Sequence, residues 1–310
     1  MRHTMRRTTL VAILAGAAAM GAPAAAYAHV GAAPQPHDLW RAWSWTPALL
    51  VALAAWLYAR GARALWARAG HGRGVAPWRT RCYAAGLVAI ALALASPIDA
   101  AAESLFAVHM VQHLLLVVVA APLVVLGEPA LVTLWALPRD ARIVLARRWR
   151  GLRALAHVAR QPLVAWTLHV ATLWAWHARG PYETAVRHPL VHVVEHASFF
   201  ATALLFWHVL AGRRARRHLG PGIAALYLFA AALQSTALGA LLTVATRPWY
   251  GVHLATTGPW GLTPLEDQQL AGLIMWIPAG LAYTVAFLAS LATALRADAA
   301  PRLQTKLRIS

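Results

Sequence analysis

Two His-x-x-x-His pairs carry most of the chemistry this sequence can offer: His109 with His113, and His192 with His196, the latter pair enclosing Glu195. A spacing of four residues puts both imidazoles of a pair on one helical face, about one turn apart. A lone histidine in an apolar helix reads as a packing residue. Four at paired spacing on two segments read instead as a site for a metal ion or a haem. Imidazole suits copper, zinc, iron and nickel, so ligand type alone does not choose among them. Met110 and Met275 add soft thioethers, which favour Cu(I), although methionine in such a segment is commonly packing. Asp267, with Gln268, opens the last apolar segment, where a carboxylate either caps the helix or orients a ligand imidazole. The expected metal set is therefore His109, His113, His192 and His196, assisted by Met110, Met275, Glu195 and Asp267. A non-enzymatic role is expected. His169 stands alone in its segment. His177, His188 and His253 are expected near the outer surface, solvated and able to pass ions inward.

The segments holding these residues are membrane segments. The chain has 310 residues, is 60% hydrophobic and has a mean hydropathy of +0.54, too apolar to cover a soluble protein of this length. One cysteine, Cys82, can form neither an internal disulfide nor a Cys-x-x-Cys clip. The net charge of +18 would suit nucleic acid, but its distribution argues against that partner. Arginine and lysine cluster at Arg60 to Arg81, Arg139 to Arg160, Arg213 to Arg217 and Arg296 to Arg308, between apolar stretches long enough to cross a bilayer. Seven such stretches are expected, near 44–59, 82–98, 104–126, 162–178, 189–210, 222–245 and 267–294. Residues 1–28 read as a secretory signal peptide: Arg2, Arg6 and Arg7, an apolar core, then Ala26-Tyr27-Ala28. An uncleaved first helix is the alternative. Cleavage would expose His29, whose amino group and imidazole together chelate copper.

With the amino end outside, the loops after segments one, three, five and seven take the basic clusters, and the outer segments carry only Arg41, Arg179, Arg187 and Arg247. The expected fold is thus an all-α, polytopic membrane bundle over residues 29–310, with seven transmembrane helices, amino terminus outside and carboxyl terminus cytoplasmic. Residues 139–160 are expected as an amphipathic helix on the inner surface. Segments three, five and seven all enter from the outer face, so both histidine pairs and Asp267 fall at one depth, as a site opening outward.

These residues resemble the CtaG family of cytochrome c oxidase assembly factors, the type associated with caa-type oxidases. The likeness runs through Trp40-x-x-Trp43, Tyr58-x-Arg60-Gly61, Ser96-Pro97-Ile98-Asp99, Phe106-x-x-His109-Met110-x-Gln112-His113 and Leu126-Gly127-x-Pro129. It continues with His188-Pro189-x-x-His192-x-x-Glu195-His196 and Asp267-Gln268-Gln269-x-Ala271-Gly272-x-x-Met275-Trp276, without departure at these positions. The resemblance implies a bacterial inner-membrane factor that binds copper and helps deliver it to cytochrome c oxidase subunits, with periplasmic copper chaperones as further partners. Two other readings stay open from the residues alone: a b-type haem protein ligated by one histidine from each pair, and a copper permease.

Overall fold

The computed structural model describes residues 34–307 except residue 152 and residues 212–218. The signal-peptide segment 1–28, His29 and the basic cluster Arg213 to Arg217 lie outside the described residues. Every regular element among the described residues is helical. We number the α-helices α1 Trp45–Ala69, α2 Pro77–Leu94, α3 Pro97–Ser104 and α4 Phe106–Leu126, the last containing a π-helical stretch, Leu115–Ala120. There follow α5 Pro129–Ala136, α6 Arg139–Gly151, α7 Arg153–Ala159, α8 Pro162–His177 and α9 Arg179–Arg187. The chain ends with α10 Pro189–Ala211, α11 Pro221–Val244 and α12 Pro264–Leu307. Most of these helices open on a proline at the first turn, where its missing N–H is no loss and its fixed φ suits the helix.

Among the described residues, five helices are long and apolar enough to cross a membrane: α1, α4, α10, α11 and the Pro264–Ala292 part of α12. A sixth is reached if α2 and α3, bent by 43° where Pro97 restarts the chain, count as one span. The expected fourth span is present as α8, but at 16 residues it is about 24 Å long, short of the hydrocarbon thickness. Leu226, Phe229, Leu233, Val285 and Leu288 point outward, an apolar exterior that suits lipid contact. The basic stretch after α5 is helical as α6 and α7.

Close packing depends on small residues. α11 and α12 form the most extensive helix pair, meeting at Gly239 and Gly272, where a Cβ on Gly239 would stand 2.8 Å from the Gly272 carbonyl. On the far side of the bundle, Gly61 of α1 lies against the Val132 carbonyl of α5, too close for any side chain. The corner after α4 is locked by polar contacts. Tyr58 donates to the Gly127 carbonyl at 2.7 Å, and Arg79 bonds the Leu126 carbonyl at 2.8 Å while pairing with Glu128 at 2.9 Å. That pairing holds Glu128 in the left-handed region, φ 52°. At the opposite end, α3, α4, α9, α12 and the loop 245–263 converge. The histidine pairs lie there.

Candidate metal centre

α4 and α10 bring both histidine pairs face to face. His109, His113, Glu195 and His196 each offer a ligand atom, and these four atoms lie within 4.8 Å of one another. All four side chains are buried, Glu195 completely. The Glu195 carboxylate stands between the α4 imidazoles, 3.5 Å from His109 Nε2 and 3.7 Å from His113 Nε2. Neither distance is a hydrogen bond. His192 packs at the edge, with ring centroids 4.1 Å from His196 and 5.2 Å from His109.

The donor atoms are left without partners. His109 Nε2, both nitrogens of His113, Nε2 of His192 and of His196, and both oxygens of Glu195 are buried with no hydrogen-bond partner among the described residues. Each such group costs about 1–3 kcal/mol, more when charged. A cation among His109, His113, Glu195 and His196 takes one ligand atom from each and relieves those four at once. Donors around a tetrahedral ion with bonds of 2.0–2.1 Å stand about 3.3 Å apart, so small ring rotations close the cluster onto an ion. Three imidazoles and one carboxylate fit copper or zinc, and the carboxylate supplies the charge that a buried divalent ion needs.

The site is enclosed, which differs from the outward-opening site expected from the sequence. Tyr182 of α9 packs edge-on against His109 at 5.2 Å, Phe106 meets Tyr182 edge-on at 5.0 Å, and Tyr250 lies tilted against it at 4.3 Å. The loop 245–263 holds this aromatic cover down. Tyr250 donates to the His177 carbonyl at 2.7 Å, Tyr182 and His253 share a hydrogen bond of 2.8 Å, and Thr256 donates to the Ser104 carbonyl at 2.7 Å. Glu183 accepts from the Gly251 N–H at 2.7 Å and pairs with Arg179 and Arg187. The Gly251 bond and the two arginines hold its carboxyl below the usual range. His253, expected to be solvated, is instead buried, and burial lowers its pKa to about 4.

The Asp267-Gln268-Gln269 run acts by anchoring backbone. α12 is capped by its own capping box: Thr263 Oγ1 accepts from Glu266 N–H at 3.2 Å, and Glu266 accepts from Thr263 N–H at 2.8 Å. Asp267 is therefore free to cap a different helix. Its two oxygens accept the N–H groups of Phe106 and Ala107 at 2.7 and 3.0 Å, the first turn of α4, one turn before His109. Gln268 accepts from Trp249 N–H at 2.6 Å, and Gln269 donates to the Ala245 carbonyl at 3.1 Å. Gln112, between the α4 histidines, is held at 2.7 Å by Asp99 of α3 and at 2.8 Å by the Ala93 carbonyl.

Of the residues expected at the site, the structure thus brings together His109, His113, His196 and Glu195, with His192 beside them. Met110 and Met275 line a neighbouring cavity of about 50 Å³. Asp267 has both oxygens engaged on α4. His177, expected to be solvated near the outer surface, lies buried at the end of α8 against Met110. Tyr182, for which the sequence raised no role, is the cover on His109. Nothing in a single sequence shows that the loop 245–263 folds over both.

Residues 56–297 match the profile of the cytochrome c oxidase caa3 assembly factor family, Caa3_CtaG. Two curated relatives, uncharacterised proteins of Mycobacterium bovis and Mycobacterium tuberculosis, are each 30% identical over 234 residues, which is 71% of this chain. This chain spans 34% of their length. No solved structure matches it.

Proposed function

The chain belongs to the cytochrome c oxidase caa3 assembly factor family, and from that premise we propose that it binds copper at the His109, His113, Glu195 and His196 cluster and helps to load the oxidase. The observation that carries this reading is the set of four buried ligand atoms within 4.8 Å, none of them hydrogen-bonded to another described group. When bound, copper would be the cargo of the site. The chain's residues hold it, exclude water from it through Phe106, Tyr182 and Tyr250, and fix the ligand-bearing turn of α4 through Asp267. The client is a cytochrome c oxidase subunit, and a periplasmic copper chaperone supplies the ion. The setting is the bacterial inner membrane, with seven spans, the amino terminus outside after signal-peptide cleavage and the carboxyl terminus cytoplasmic, so that the cluster lies nearer the outer face.

The imidazoles are already packed ring against ring, with centroids 4.4–5.9 Å apart. A porphyrin plane between α4 and α10 would have to part them, which supports a single ion over a b-type haem. The experiment is complementation in a host lacking its own copy. The parent chain should restore copper content and activity of the oxidase, and His109→Ala with His113→Ala should restore neither. Full restoration by the double variant, at equal membrane abundance, would sink the reading.

A further inference from the structure

Beside the histidine and carboxylate cluster lies a second group of donors, of which the proposed site uses only His113. The cavity of about 50 Å³ is bordered by Met110, His113, His177 and Met275, with Leu173, Phe199 and Ala279 completing an apolar wall. His177 is the informative member. Its Nδ1 stands 2.7 Å from the Leu173 carbonyl, which can only accept, so Nδ1 carries the proton. In the neutral imidazole this leaves Nε2 as a bare lone pair. Yet Nε2 faces Met110 Sδ at 3.4 Å, and a thioether has no proton to give. Two buried Lewis bases therefore point at one another with nothing between them to share. Charging the imidazole would supply a proton at the cost of burying a cation.

We propose that His177 Nε2, Met110 Sδ and Met275 form a second metal site, selective for a soft monovalent ion such as Cu(I), next to the histidine and carboxylate cluster. Thioethers and neutral imidazole suit Cu(I), and the absence of a carboxylate among the cavity's bordering residues suits a single positive charge rather than two. Both nitrogens of His113 lack partners among the described residues, and its ring borders the cavity as well as the cluster. A neutral imidazole has one lone pair, so His113 serves one ion at a time, and it is the residue across which an ion would pass between the sites. The π-helical stretch Leu115–Ala120 begins just after it. The wider turn places Val117 and Val118 on the cavity wall and leaves the Val117 carbonyl to accept from Trp207 Nε1 at 2.9 Å. The copper reading of the cluster supplies only the natural identity of the ion. The donor arrangement stands without it.

The test uses the full chain in detergent, with Cys82→Ser in the background so that no thiolate contributes. Cu(I) is offered from a chromogenic chelator, and Zn(II) separately. The parent should take up two Cu(I), and X-ray absorption should show a sulfur shell alongside nitrogen. Met110→Leu with Met275→Leu, a volume-conserving pair, should lower the count to one, remove the sulfur shell and leave Zn(II) uptake unchanged. A parent whose bound Cu(I) sees only nitrogen and oxygen overturns the proposal, and that measurement needs no variant to fold. An unchanged sulfur shell in the double variant also overturns it. His109→Ala with His196→Ala separates the two readings. It should abolish Zn(II) uptake and keep the sulfur-bound Cu(I); if Zn(II) uptake persists while the sulfur shell is present, the cluster reading fails and this one survives.

Discussion

Asp267→Asn distinguishes a residue that positions the centre from one that ligates it. Asp267 is completely buried, and its two oxygens receive the Phe106 and Ala107 N–H groups at 2.7 and 3.0 Å. Hydrogen bonds to a charged acceptor contribute about 1.5–3 kcal/mol each. Asparagine keeps one accepting oxygen and turns an NH2 group toward the other donor. One bond is lost and one buried N–H is orphaned, so a destabilisation of about 2–3 kcal/mol is expected. Because the capped turn leads directly into His109, affinity for the cluster metal should also fall, by about 10–100-fold, the usual effect of losing an orienting partner. The assay is thermal denaturation of the metal-free chain in detergent, followed by tryptophan fluorescence, with Zn(II) titration of the same sample. Glu266→Gln, which alters only the box at the start of α12, should leave Zn(II) affinity unchanged. The reasoning is refuted if metal-free Asp267→Asn is as stable as the parent while metal binding is lost. That result would make the carboxylate a ligand and not a cap.

Other expectations follow from the same contacts. Gly239→Ala puts a methyl 2.8 Å from the Gly272 carbonyl and should lower stability by about 1–3 kcal/mol, whereas Gly222→Ala, in the same helix and facing open space, should not; equal melting temperatures would contradict the close approach of α11 and α12. Glu195→Gln removes the only carboxylate among the clustered donors and should weaken Zn(II) binding more than about tenfold without unfolding the chain, read by chelator competition. Glu183 has its carboxyl held below the ordinary value, so its contribution to stability is complete above that value and disappears as pH falls through the folded one. Amide exchange at Gly251, corrected for its intrinsic pH dependence, should therefore accelerate in acid. In Glu183→Ala it should be fast at all pH, and a parent-like profile in that variant would refute the assignment.

The histidine pairs and Glu195 were legible because helical spacing is local: residues four apart share a face whatever the tertiary structure. That the pairs meet on α4 and α10 followed from two apolar segments entering at the same end. Asp267 was singled out at the start of its own helix, but the helix it caps was not legible, since a partner 160 residues away is a tertiary fact and the capping box at Thr263 and Glu266 had to be recognised first. His177 and His253 looked like surface residues because the first stands at the end of an apolar segment and the second in the stretch between two. The loop 245–263, read as connection, is what buries them through Tyr250 and Thr256. The break at Leu105, where the chain is extended between α3 and α4, lies within a residue of the expected start of the third segment at 104, but that residues 97–104 form a helix of their own was not legible.

That His109, His113, Glu195 and His196 hold a metal ion is tested most directly by elemental analysis of the full chain, purified from cells grown with copper and dialysed against a weak chelator. Copper should be retained by the parent, and the amount should fall by one ion per chain when His109 and His113 are replaced together by alanine. Copper retained in equal amount by parent and double variant, or found in neither, would contradict it.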